Sequence, residues 1–188
     1  MKFIPDDPDQ QSDVPFLEEA RADDGWKGQS TSKSIEQLRA EISAEIGRLG
    51  GTMTRFMRGE YEIQGQTRPG ALIEYSIVSL EGRGFQGRID VAGLPFEEST
   101  GRQDSARTNR KRRDKSLQMA LFNVREGLQG ARILQTLSPG YAALIPWLLT
   151  DSGQTFGQLW REGLGIAALP APAKDGEVVD AEFKVIDD

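Results

Sequence analysis

Residues 71–91 read ALIEYSIVSLEGRGFQGRIDV, and this stretch decides the fold class. In its second half, apolar or small residues at 85, 87, 89 and 91 alternate with polar residues at 86, 88 and 90. Successive side chains of a strand point to opposite faces, so this alternation predicts a strand with one buried and one solvated face. Ile73, Tyr75 and Ile77 repeat at the same spacing in a strand expected over 71–80, and the residues 81–84 predict a hairpin turn before the strand expected over 85–91.

A helix is expected before the sheet. Ser34 and Gln37 have the spacing of a capping box, in which each side chain bonds the backbone N–H of the other residue. Apolar residues then recur three or four positions apart, at Ile35, Leu38, Ile42, Ile46 and Leu49. Gly50 and Gly51 predict the end of this helix, because glycine adopts the left-handed conformation without steric cost.

The remaining elements lie on either side of residues 71–91. A strand is expected over 52–63, with a break at Gly59. After a polar loop at 97–109, a long helix is expected over 110–137, with a buried stripe of Leu117, Leu121, Val124, Leu128, Ala131 and Leu134. Two short helices follow, an apolar one at 141–149 and a last one capped by Thr155. The sequence predicts an α+β fold: helix, three-stranded antiparallel meander, long helix and two short C-terminal helices.

The acidity of the chain is concentrated at its two ends. Residues 1–33 contain eight acidic and four basic residues, and residues 172–188 contain six and two; of the 29 acidic and 23 basic residues in the chain, 15 and 17 remain for 34–171. Such acidic segments without an apolar period are typical of disorder. We expect an acidic disordered tail at 1–33, one α+β domain at 34–169 and a second acidic disordered tail at 170–188. Phe16, Leu17 and Trp26, isolated apolar residues in the first tail, are expected to pack loosely on the domain, with docking anchors for a partner as the alternative.

Residue types that are absent exclude several classes of function. The chain has no Cys and no His, so disulfides, Ser-His-Asp triads and ordinary zinc sites are ruled out. It contains no P-loop and no apolar run of about 18 residues, so neither that phosphate-binding loop nor a membrane span is expected. We expect a cytoplasmic, non-enzymatic protein without cofactor or metal. A magnesium nuclease using Glu74, Glu81 and Asp90 is the enzymatic alternative.

A cationic segment lies between the sheet and the long helix. Its seven basic residues are Arg102, Arg107, Arg110, Lys111, Arg112, Arg113 and Lys115. If the helix begins at Arg110, these cations crowd a helix N-terminus, where the macrodipole disfavours cations and where phosphates bind. This conflict predicts a polyanionic partner, DNA or RNA, with Arg88 and Arg83 of the sheet region adding to the surface.

Other interpretations of the same features stay open. The cationic segment is alternatively plain solvated charge, or it binds the acidic tails of its own chain, so that tails and segment mask each other. A different class of function is a protein-interaction or oligomerising module, in which the apolar C-terminal helices with Trp147 and Trp160, or the acidic tails, contact a protein partner. The sequence predicts neither the oligomeric state nor the choice between DNA and RNA.

Two resemblances add to these expectations. The order helix, three strands, helix, with Lys111-Arg112-Arg113-Asp114-Lys115 opening the second helix, is similar in topology to a double-stranded-RNA-binding domain, which implies phosphate contacts from that helix. Over about 34–170 the chain also resembles a group of uncharacterised short proteins of phages and integrated mobile elements. The resemblance rests on Ala120-Leu121-Phe122-Asn123-Val124 and on the turn at 151–160. It implies an accessory role in replication, recombination or host takeover.

Overall fold

The computed structural model describes residues 14–63, 65–78, 82–100, 105–138 and 143–161. Helix α1 (Ile35–Arg48) precedes strands β1 (Gly51–Ile63), β2 (Gln66–Val78) and β3 (Gly84–Ala92). Helix α2 (Ser105–Leu137), a 3-10 helix (Ile145–Trp147) and helix α3 (Phe156–Arg161) follow. The predicted α+β architecture is confirmed.

The three strands form an antiparallel sheet in the order β1-β2-β3. Ile73 of β2 pairs with Phe56 of β1 and with Ile89 of β3, and this face packs against both helices. On the opposite face, Arg55, Glu74 and Arg88 stand side by side across the three strands. The predicted alternation of buried and polar positions in β3 is therefore confirmed.

Two tyrosines lie across glycines on the two faces of the sheet. The Tyr75 ring, on the buried face, occupies the space above Gly87, and its hydroxyl donates a 2.7 Å hydrogen bond to the Leu144 carbonyl. The Tyr61 ring, on the opposite face, lies over Gly70. Neither glycine has room for a Cβ, so the two tyrosines determine how closely the strands and the C-terminal segment pack.

Helices α1 and α2 run side by side, held by a buried apolar stripe and by ion pairs. The fully buried residues of α1 are Leu38, Ile42 and Ile46. The buried Glu45 carboxylate lies 3.2 Å from Arg132 Nε of α2 and also contacts Arg48. Glu45 is three residues from the end of α1 and Arg132 five residues from the end of α2, so the two helices end close to one another.

The predicted helix signals are present. Ser34 and Gln37 form both bonds of the capping box at α1, and Gly50 has a positive φ of 88° after its last turn. Thr155 and Gln158 make the equivalent pair of bonds at α3. Among the described helices, none is both long and apolar enough to cross a membrane.

Several predicted boundaries are wrong. Strand β1 continues through Gly59, and β2 begins at Gln66, because the Pro69-Gly70 pair that is typical of a turn lies inside a paired strand. Within the apolar stretch at 141–149, the described residues 143–149 include one short 3-10 helix, after which Leu148 pairs with Gly87 as a bridge beside β3. Leu134, placed in the buried stripe of α2, is 51% exposed.

The predicted N-terminal tail is in part packed on the domain. Leu17 and Ala20 are buried, Trp26 packs against the core, and the Leu17 N–H donates a 2.7 Å hydrogen bond to the Pro95 carbonyl. The Asn123 side chain of α2 bonds both backbone groups of Lys27. The folded unit therefore includes residues 14–33. Residues 1–13 and the predicted tail at 170–188 lie outside the described residues.

Candidate nucleic-acid interface

Helix α2 begins at Ser105, five residues before the predicted start. The run Arg110–Arg113 therefore occupies the second and third turns of the helix, and of these cations only Arg107 lies in the first turn. The expectation that the run crowds the helix N-terminus is wrong, so the macrodipole gives no reason for it to bind phosphate. The apolar stripe that revealed this helix begins at Leu117 and contains no information about polar turns before it.

Three of the predicted cations share one exposed surface, the cationic face, which consists of Arg107, Arg110 and Lys111. Their i, i+3, i+4 spacing places them within roughly 100° around a helix of 3.6 residues per turn. All three are exposed, and none has a hydrogen-bond or ion-pair partner among the described residues.

The next two arginines are held by the chain itself. The Arg112 guanidinium donates to the Glu97 carbonyl and lies 3.6 Å from Glu18 Oε1. The Arg113 guanidinium forms an ion pair with Glu60 of β1. These two side chains are half-buried, and their charge is compensated locally. The structure therefore separates them from the cationic face.

Lys115 is oriented toward the N-terminal segment. Its ammonium group donates hydrogen bonds of 3.3 Å to the Gly28 carbonyl and 3.1 Å to the Thr31 carbonyl. Burial lowers the pKa of this lysine, because desolvation disfavours the charged ammonium. Lys115 thus fixes residues 28–31 against α2 and does not belong to the exposed surface.

The side of α2 opposite the cationic face is anchored to the loop after β3. The Asn109 side chain bonds both the N–H and the carbonyl of Ser99, at 2.8 Å and 3.3 Å. The fully buried Ser116 hydroxyl donates a 2.6 Å bond to the Leu94 carbonyl. With Arg112 between them, these residues form the anchored face, defined as Asn109, Arg112 and Ser116. It determines which side of the helix remains in solvent.

A groove of about 370 Å³ borders the cationic face, between the start of α1 and β1. Lys111, Ser34 and Arg58 line it, and Arg58 Nη2 lies 2.9 Å from the Asp114 carboxylate. The sequence analysis did not single out Arg58. Its position two residues after Phe56 places it on the helix-facing side of β1, and this spacing is the signal that could have identified it.

The other predicted cations do not join this surface. Arg88 lies on the sheet face opposite the helices, where its Nε is 3.0 Å from Asp90 Oδ2. Arg83 lies in the turn between β2 and β3, beyond the last residue of β2. Arg58 and Glu60, the β1 residues that contact α2, pair with residues near the start of β2. Arg102 lies outside the described residues. A single surface of nine cations, as predicted, is therefore not formed.

Of the two predicted partner-binding tryptophans, Trp147 is not placed as predicted. Trp147 is half-buried and packs against the hydrophobic core, so it is not an exposed anchor. Trp160 lies in α3, but its side chain is outside the described part of the structure.

The acids of the nuclease alternative do not converge where the structure describes them. Asp90 accepts a 2.9 Å bond from the Tyr61 hydroxyl in addition to its pair with Arg88, and burial raises the pKa of that tyrosine. Glu74 lies 4.0 Å from Arg55, and Glu81 is outside the described residues. No group of three or more acidic side chains arranged for a metal ion occurs within the described ranges.

The most coherent candidate site in the described chain is thus the cationic face with its bordering groove. Comparison with known proteins finds no family model, no curated protein and no solved structure that matches this chain.

Proposed function

We propose that this chain is a non-enzymatic nucleic-acid-binding accessory protein that contacts the phosphate backbone through the cationic face. One observation supports this most directly: Arg107, Arg110 and Lys111 are exposed together and have no partner among the described residues, whereas the neighbouring basic residues do. Basic residues with locally compensated charge need no foreign anion. The resemblance to short proteins of phages and mobile elements points to the accessory role.

The composition of the cationic face favours contacts with phosphates over contacts with bases. Neither an aromatic ring nor an amide belongs to it, so it has no platform for base stacking and no amide that could pair with the edge of adenine. Three phosphate contacts imply a salt slope of about −2.7 for duplex and about −2 for single strands, from roughly −0.9 and −0.7 per contact. The proposal is therefore sequence-independent binding at the weak end of the range, detected best at low salt.

The test is a salt-titrated binding assay against single-stranded DNA, duplex DNA and duplex RNA. The variant is Arg110→Glu/Lys111→Glu. Its matched control is Arg39→Glu/Arg55→Glu, which changes the net charge by the same amount at exposed positions away from the cationic face. We expect the variant to lose about 100-fold or more in affinity at low salt, since two attractive contacts become repulsive. The control should change affinity only a few-fold.

Two outcomes would contradict the proposal. One is the absence of wild-type binding to all three nucleic acids at low salt. The other is an equal loss in variant and control, which would show that only net charge matters. Thermal unfolding of the variant should be close to that of the wild type, because Arg110 and Lys111 have no partner among the described residues. The control loses the contact of Arg39 with the Phe56 ring and the pair of Arg55 with Glu74, so a modest loss of stability is expected there and binding is measured well below its unfolding midpoint.

The second candidate is a protein-interaction or oligomerising function. It is favoured by apolar side chains exposed at the end of α2, namely Ile133, Leu134 and Leu137. Light scattering over a range of concentrations tests it: a mass that rises toward a multiple of the chain supports oligomerisation. A constant monomer mass, with no partner captured, contradicts this candidate.

A further inference from the structure

Strand β2 contains a buried arginine without a partner. Arg68 is only 8% exposed, although arginine is almost never buried to this extent unless it is paired. Its Nε is sealed from solvent and has no hydrogen-bond partner. The side chain makes no hydrogen bond, ion pair or ring contact with any of the described residues. A buried charge without a counter-charge is strongly unfavourable, so Arg68 requires an anion that the described chain does not supply.

Arg68 lies on the sheet face opposite the helices. Its cross-strand partner in β1 is Tyr61, whose ring lies over Gly70, two residues further along β2 on the same face. The neighbouring Pro69 points to the other face, because a Cβ on Gly93 would meet both Pro69 and Ser116 of α2. Arg68 and the cationic face of α2 are therefore on different sides of the sheet.

Two other arginines show what Arg68 lacks. Arg88, on the same sheet face, has Asp90 Oδ2 at 3.0 Å from its Nε. Arg125 of α2 resembles Arg68 more closely, because its Nε is also sealed without an aligned hydrogen bond. The Glu41 carboxylate nevertheless lies 3.1 Å from that Nε and compensates the charge. Among the described residues, no carboxylate does the same for Arg68.

The accessible part of the Arg68 guanidinium suits a carboxylate. Of its three nitrogens only Nε is sealed without a partner, so the two Nη groups reach the solvent. Water can hydrate these groups but does not neutralise their charge. Two adjacent N–H donors match the two oxygens of a carboxylate, whose single negative charge balances the single unmatched cation. A phosphate monoester carries about −1.5 to −2 charges near pH 7 and would leave excess negative charge on a face that already holds Asp90.

We propose that Arg68 binds the carboxylate of a small organic acid through its two Nη groups. The bound carboxylate is the counter-charge that the described fold lacks, and it stabilises the folded chain because the unfolded chain has no such site. So little of the side chain is exposed that the opening admits a small group more readily than a protein surface. The inference does not rest on nucleic-acid binding, which is proposed for the other side of the sheet.

Nitrogen-15 NMR of the full chain tests the proposal, with sodium acetate as the probe and sodium chloride at equal ionic strength as the reference. Because Arg68 Nε is sealed from solvent, its proton exchanges slowly with water and gives a separate signal, which is assigned by its loss in Arg68→Gln. We expect this signal to shift with acetate and to reach saturation. The Arg88 signal should not follow it, because Asp90 already pairs with that guanidinium.

Thermal unfolding gives a second readout. At an acetate concentration ten times the Kd, the unfolding midpoint of the wild type should rise by roughly 3–6 °C relative to chloride. Without acetate, Arg68→Met should unfold at a higher temperature than the wild type, because it removes an uncompensated buried charge. It should also respond to acetate no more than to chloride. The matched control Arg88→Met, on the same sheet face, keeps Arg68 and should keep the acetate response.

Several outcomes would overturn the proposal. They are an Arg68 signal that does not saturate with acetate, an equal shift with chloride, and equal acetate stabilisation of the wild type and Arg68→Met. Tighter binding of phosphate than of acetate would replace the carboxylate by a phosphate ligand. An Asp-rich peptide that shifts the signal where acetate does not would replace the organic acid by a protein partner. Nucleic-acid affinity should be unchanged in Arg68→Met, so this proposal and the proposed function can fail independently.

Discussion

One stripe of helix α2 has two contrasting halves. From Leu117 onward, the stripe is apolar and buried against α1 and the sheet through Leu121 and Leu128. Earlier along the helix, Arg110 lies one heptad before Leu117 and Arg107 two heptads before Leu121, and both are exposed, as is the neighbouring Lys111. Helix α2 begins before the part of it that packs on α1, so its first turns have no α1 residues to contact. There, the residues on the core-facing side of α2 are cationic.

The contrast shows that the partners available to each cation, and not the number of charges, define the binding surface. The basic run contains consecutive cations, yet within it only Arg110 and Lys111 are exposed without a partner among the described residues. Arg112 and Arg113 point elsewhere and meet Glu18 and Glu60. Partly exposed ion pairs of this kind contribute only about 0–1 kcal/mol, so they orient these arginines more than they stabilise the fold.

The largest effect is expected in the buried half of the stripe. Leu121→Ala should lower the free energy of unfolding by about 3 kcal/mol, because Leu121 is fully buried and the substitution leaves a cavity. Lys111→Ala, in the exposed half, should have little effect on stability. Urea unfolding of the two variants measures both values. Equal losses would show that the first turns of α2 are packed against something.

The next effect concerns the anchored face. Ser116→Ala removes the buried hydroxyl that donates to the Leu94 carbonyl and should cost about 1–2 kcal/mol, since that carbonyl would be left without its donor. The same urea experiment measures it, with Ser34→Ala as a control of similar size at the α1 cap. If Ser116→Ala is neutral, the loop after β3 does not depend on α2 for its position.

Much of the fold could be predicted from local patterns in the sequence. The alternation in β3 and the apolar stripe of α2 reflect contacts that repeat with a fixed period. The capping pair Ser34 and Gln37 is a local motif with a fixed spacing. Boundaries without such a period were missed. Pro69 can lie inside β2 because proline lacks only the N–H donor. Its carbonyl still accepts a hydrogen bond, from the Gly93 N–H.

The candidate site was predicted only in part, because exposure depends on contacts distant in sequence. Nothing near Arg113 indicates that Glu60, fifty-three residues earlier, pairs with it. The N-terminal segment was assigned to a tail from its acidity, yet Lys115 and Asn123 of α2 bond its backbone carbonyls at 27, 28 and 31. Backbone contacts of this kind have no signature in composition. The heptad spacing from Leu117 and Leu121 back to Arg110 and Arg107 was available in the sequence, but it covers two of the three residues of the cationic face.

A smaller effect should distinguish the two groups of arginines. Arg113→Ala should change stability by at most about 0.5 kcal/mol, because its partner Glu60 is largely solvated. It should weaken nucleic-acid binding less than threefold, whereas Arg110→Ala should weaken it about tenfold with no loss of stability. Parallel unfolding and binding measurements give both values. A larger binding loss for Arg113→Ala would mean that its ion pair opens when the partner binds.

The smallest effect is a pH dependence at Lys115, between the two halves of the stripe. Burial lowers its pKa below the ordinary value of 10.5, so the folded chain holds this proton less tightly than the unfolded chain. The unfolded state therefore binds more protons between the lowered pKa and pH 10.5, and the contribution of Lys115 to stability rises with pH in that window.

Lys115→Met removes this contribution. The difference in unfolding free energy between wild type and Lys115→Met, measured at pH 8, 9 and 10, should grow in favour of the wild type. Burial raises the pKa of Tyr75, so its titration destabilises wild type and variant equally at alkaline pH and cancels from the difference. A difference that stays constant with pH would show that Lys115 is fully solvated and that residues 28–31 do not cover it.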